Sequence, residues 1–134
     1  MKTAPTRVLK TSIAVLGLIS IGAGLWAMIA PRSFYLNAAP FPPYNRHLFH
    51  DIGAFQIGLG ACLAASLVFK DALVVVLVGN AFAGVAHFVA HVLDRSQGGH
   101  ASDPFTFGVL AVLIVALAIA RWLAVRPRPP SAAS

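Results

Sequence analysis

Five histidines and four acidic residues are spread thinly through a chain of 134 residues, and their spacing is the part of the sequence that could do chemistry. Asn80, Gly84, His87, His91 and Asp94 advance by four, three, four and three positions. At about 100° per residue they fall within a stripe of about 80° on one face of a helix. His47, His50 and Asp51 share a sector of about 100° on another segment by the same arithmetic. A histidine pair at i, i+4 can hold one transition metal from a single helix, and neutral imidazole with carboxylate suits zinc, copper or iron. The candidate metal ligands are His50, Asp51, His87, His91 and Asp94. A haem b with His50 and either His87 or His91 as axial ligands is a second option. The third is that these side chains hydrogen-bond one another, cap helix ends and fix packing with no ligand at all. The His/Asp pairs could also relay protons or act as acid and base on a small or lipid-soluble substrate. No nucleophile or substrate signature accompanies them, so the catalytic residues stay unassigned and the sequence leans away from an enzyme. Asn80 and Gln56 read as helix–helix hydrogen-bonding groups.

The elements that must position these residues are four apolar stretches: about Ser12 to Ala30, Leu48 to Phe69, Ala72 to Leu93 and Phe105 to Leu123. Each is roughly 19–22 residues, which at about 1.5 Å per residue reaches about 30 Å, the hydrocarbon thickness of a bilayer. Lipid offers no partner to an open strand edge, so the spans must be helical. The chain is 58% hydrophobic and 10% charged, against about 25% charged in an ordinary soluble domain. The fold class is therefore all-α, an integral membrane bundle of four antiparallel transmembrane helices over residues 1–125, with a disordered tail over 126–134. A cleaved signal peptide is the rival reading of the first stretch. Its apolar run is too long, and Met28 and Pro31 sit badly around a cleavage site, so a retained helix is expected.

Connections and charge give the topology. Lys70-Asp71 reads as a tight polar turn joining the second and third helices into a hairpin, whose polar stripes could then face each other. Residues 31–47, with four prolines among Phe34, Tyr35, Phe41 and Tyr44, read as a loop at headgroup level. Four crossings place Lys2, Arg7, Lys10, Lys70, Arg121, Arg126 and Arg128 on one side and Arg32, Arg46 and Arg95 on the other. An excess of positive charge marks the cytoplasmic side, so a multi-pass cell-membrane protein with both termini cytoplasmic is expected. All five histidines and Asp51, Asp94 and Asp103 then lie at the extracytoplasmic end. The net charge of +6 belongs to these flanks, which argues against nucleic acid as a partner. Cys62 is the single cysteine, which excludes an intramolecular disulfide and a CxxC redox pair. Ser20 and Gly24, Gly60 and Ala64, and Gly79 and Ala83 are small-xxx-small pairs that could pack helices together or dock a membrane-protein partner or a second copy.

The first-helix ending "GLWAMIAPRSF", the second-helix "HDIGAFQIGLGACLAA" and the third-helix "GNAFAGVAHFVAHVLD" together resemble the DoxX-like family of small four-helix membrane proteins, over most of residues 12–125. The resemblance implies an antiparallel four-helix bundle and, since relatives occur as accessory membrane subunits, a non-catalytic subunit of a larger complex. The histidine enrichment departs from the family pattern. The thiosulfate-oxidising, quinone-reducing activity associated with the name-giving member is therefore not carried over, and no catalytic residue transfers by motif.

Overall fold

A backbone surrounded by lipid must satisfy its own N–H and C=O groups, and a long apolar sequence does so as helix. The computed structural model describes residues 6–69 and 72–126. Its elements are α1 (Arg7–Ile29), α2 (Pro31–Asn37), α3 (Arg46–Ser66), α4 (Leu73–Leu93) and α5 (Asp103–Val125). The four longer helices, of 23, 21, 21 and 23 residues, are long and apolar enough to cross a membrane. The expected turn at Lys70-Asp71 and residues 127–134 of the expected tail lie outside the described residues.

Helix ends differ from the apolar runs because caps, not hydropathy, set them. Thr6 Oγ1 accepts the Leu9 N–H at 3.2 Å, so α1 begins at Arg7, ahead of Ser12. Asn45 Oδ1 accepts the Leu48 N–H at 3.3 Å and starts α3 at Arg46. At α5, Asp103 and Pro104 open the helix before Phe105; a first-turn proline loses no hydrogen bond, and a carboxylate is favoured there. The segment expected as loop contains the short helix α2, opened by Pro31.

The helices associate as two antiparallel pairs, α1 with α3 and α4 with α5, while α3 and α4 touch over only a short stretch. The first pair is fixed by glycine. A Cβ on Gly24 would lie 2.6 Å from the Gly53 carbonyl oxygen, and one on Gly60 would lie 2.7 Å from that of Gly17. Only a hydrogen fits at these crossings. Where lipid is as apolar as the side chains, such backbone closeness is what holds helices together. Gly79, one of the expected packing residues, meets nothing within 4 Å of a Cβ. In the second pair Gly84 faces Ile114 and Gly108 faces the Phe88 ring.

One buried cluster joins all four long helices: Ile13 of α1, Leu63 of α3, Leu73, Leu77 and Ala81 of α4, and Ile114 and Ala118 of α5. Every member lies in the half of the bundle where α1 begins and α5 ends. At the other end, the histidine end, the first pair is closed by an aromatic cap instead. Phe49, 3% exposed, stacks on Tyr44 at 5.7 Å and meets Phe34 and Tyr35 of α2. Trp26 meets Phe34 at 5.2 Å and donates from Nε1 to Ser33 Oγ at 3.3 Å.

Gly53→Ala places a methyl group 2.7 Å from the Gly24 oxygen and is expected to cost about 1–3 kcal/mol through overpacking. Gly58→Ala, inside α3 where a Cβ meets nothing within 4 Å, should leave stability unchanged or raise it by up to about 1 kcal/mol. Thermal unfolding of both variants in mild detergent, followed by circular dichroism, checks the contrast.

Candidate functional site

The pairing of helices decides which polar residues can meet. His50 lies three and seven positions before Gly53 and Ile57, the residues of α3 that approach Gly24 of α1. It therefore continues the stripe turned toward α1. Its Nε2 is buried with no hydrogen-bond partner among the described residues. His47 and Asp51 pair with each other at 3.6 Å on the exposed side of α3. Asp94 caps α4, its N–H bonded to the Ala90 oxygen and its carboxylate accepting from Gln97 Nε2 at 3.0 Å. Asn80 bonds within its own helix, Nδ2 to the Val76 oxygen at 3.0 Å, where a helix–helix bond was expected.

His87 and His91 are brought together, as one helical turn requires. Their Nε2 atoms are 3.0 Å apart. Phe107 of α5 holds both rings, stacked on His91 at 4.2 Å and tilted against His87 at 4.4 Å. Phe41, from the loop after α2, meets His91 edge-on at 5.7 Å. On the far side of His91, Nδ1 is 3.8 Å from Asp103 Oδ2, and these two side chains are 12% and 11% exposed. Asp103 was legible only as a loop acid outside the ligand set. As the first residue of α5 it faces α4 directly.

The loop between α4 and α5 places that carboxylate. The His100 N–H donates to Asp103 Oδ2 at 2.8 Å, and the Asp103 N–H donates back to the His100 oxygen at 3.0 Å. Gly98 and Gly99 carry φ of +144° and +81°, a conformation that side chains resist. A Cβ on Gly99 would strike the Phe41 ring at 2.6 Å and Asp103 Oδ2 at 2.8 Å. The loop also ties the two helix pairs together. The Gly99 N–H donates to the Pro40 oxygen at 3.2 Å, and His100 Nε2 meets the Asn37 oxygen at the same distance. A carbonyl only accepts, so this contact puts a proton on His100 Nε2.

Asp103, His91 and His87 thus form a line of carboxylate, imidazole and imidazole. The carboxylate favours a proton on Nδ1 of His91, which turns the Nε2 lone pair toward His87. The two Nε2 atoms, 3.0 Å apart, are at the distance of one shared proton. Among the described residues no group of three or more His, Cys, Asp or Glu side chains is arranged to hold a metal ion. The five expected ligands are divided, with His50 and Asp51 on α3, the His87/His91 pair on α4 against α5, and Asp94 at the C-cap of α4 bonded to Gln97. Comparison with protein-family models, with curated proteins and with solved structures gives no match.

With Asp103 behind it, neutral His91 is expected as the Nδ1–H tautomer. Imidazole 15N spectra of the protein in detergent read this directly, and Asp103→Ala should move the population toward Nε2–H. An unchanged spectrum would show that the carboxylate does not set the tautomer.

Proposed function

We propose that this is a multi-pass protein of the cell membrane, both termini cytoplasmic, whose His87/His91 pair binds a transition metal at the extracytoplasmic end. The observation that supports the metal reading is the closeness of the two Nε2 atoms, 3.0 Å apart. Two nitrogens about 2.0–2.1 Å from one tetrahedral ion lie about 3.3–3.4 Å apart, so a few tenths of an ångström admit the ion. Asp103 supports the pair from behind His91, in the outer role a carboxylate takes beside a metal-bound histidine. It stands where Asp94 was expected to contribute. Two protein nitrogens leave positions for water or a small ligand, and zinc, copper and iron all accept imidazole. Haem is less well supported, because His50 lies on the stripe of α3 turned toward α1.

The same line of groups supports a second reading, a proton shared between His87 and His91 beside Asp103. That reading suits an accessory subunit, the role that the resemblance to DoxX-like proteins implies. The orientation rests on charge counted along the sequence: seven Lys and Arg residues in the two terminal segments and the connection between the second and third spans, against three in the other two connections.

Elemental analysis of untagged protein in mild detergent is expected to find close to one zinc, copper or iron per chain, lost in the His87→Ala/His91→Ala variant. Absence of metal after attempted reconstitution would overturn the metal reading in favour of the proton-sharing one. Reporter fusions at the C-terminus should read cytoplasmic; an external signal would reverse the orientation.

A further inference from the structure

Two hollows share Pro104 as a lining residue. The first, about 370 Å³, opens at the histidine end and is lined by Arg95, Ser96, His100, His91 and Pro104 among others. The second, about 870 Å³, is almost wholly apolar and runs along α4 and α5 between Phe88 and Phe105, past Val112 to Ile119. Pro104 lines both. The helix from Pro104 to Ile119 rises about 22 Å, more than the roughly 15 Å depth of one leaflet. Phe105 and Val112 are exposed on this side of the helix pair.

The charges at the junction are unequal. Arg95 forms no ion pair among the described residues. The one acid in the polar hollow, Asp103, is already engaged by the His100 N–H and faces His91. A cation with a hydroxyl neighbour, beside an apolar trough longer than one leaflet, suits an amphiphile with an anionic head. We infer that this region around Pro104 is a binding site for an anionic glycerophospholipid, its phosphate at Arg95 and Ser96 and one acyl chain in the trough between Phe88 and Phe105. The site does not depend on a metal at His87 and His91. Its head region borders that pair through His91, so a bound lipid covers one approach to it.

The test uses the full chain in mild detergent, with lipid binding read by native mass spectrometry against phosphatidylglycerol, phosphatidylcholine and soluble glycerol 3-phosphate. Phosphatidylglycerol should bind in preference to both. Arg95→Ala should weaken it at least about tenfold, the loss expected for a hydrogen bond to a charged group. Val112→Trp fills the trough from a position 69% exposed, so it should weaken phosphatidylglycerol binding while thermal unfolding stays unchanged. Equal binding of phosphatidylcholine would overturn the proposal in favour of an ordinary lipid-facing surface. Equal binding of glycerol 3-phosphate, or full affinity in Val112→Trp, would overturn it in favour of a soluble-anion site. Full affinity in Arg95→Ala would remove the headgroup contact on which it rests.

Discussion

The contact on which the rest depends is backbone against backbone, where Gly17 and Gly24 of α1 cross Gly60 and Gly53 of α3. Apolar side chains gain nothing by leaving lipid for one another, so helices in a bilayer are held by close fit and by the few polar bonds they make. A Cβ at Gly24, Gly53 or Gly60 would stand less than 3 Å from the facing carbonyl oxygen. With the small face of α3 committed to α1, α4 turns to α5, and everything at the histidine end follows. His50 goes with α1, while His87 and His91 are presented to Phe107 and Asp103.

That arrangement lets a modest polar cluster exist at the end of two apolar helices. An isolated ionisable group inside a membrane is expensive. Here His91 is covered by Phe107 of α5 and Phe41 of the loop after α2, while the exposed His87 meets Phe107 alone. The two rings meet through their Nε2 atoms, and a carboxylate at a helix start stands 3.8 Å behind His91. The carboxylate in turn accepts the His100 N–H, in a loop turned by two glycines in a conformation that other residues resist. Glycine therefore acts twice in this chain, once to let helices touch and once to let a loop turn tightly beneath a site.

The long helices were legible in the sequence because their signal, an apolar run matched to bilayer thickness, does not depend on neighbours. The partners of each helix were not, because small residues recur on several faces and nothing local says which face is used. Gly79 looked as suitable as Gly24, yet it stands in open space while Gly24 touches α3 through a repeat of seven that also includes Gly17. The site was half legible for the same reason. His87 and His91 meet through helical spacing alone, so the sequence showed them. Asp103 enters from another helix, and hydropathy began that helix two residues too late to include it. The pair Asp103-Pro104 was the available signal, since both residues favour a helix start. The short helix α2 was masked by the prolines around it, although Pro31 stands where a proline opens a helix.

The shared core occupies only the half of the bundle near the termini. The histidine end is spanned by little more than the Gly99–Pro40 and His100–Asn37 bonds and the Phe41–His91 contact. The molecule is therefore built like a pair of tongs, riveted at one end and lightly clasped at the other. Three of the site's groups, His87, His91 and Asp103, ride on one arm together with Phe107, whereas Phe41 belongs to the other. Parting the arms would uncover one face of His91 without disturbing the line from Asp103 to His87.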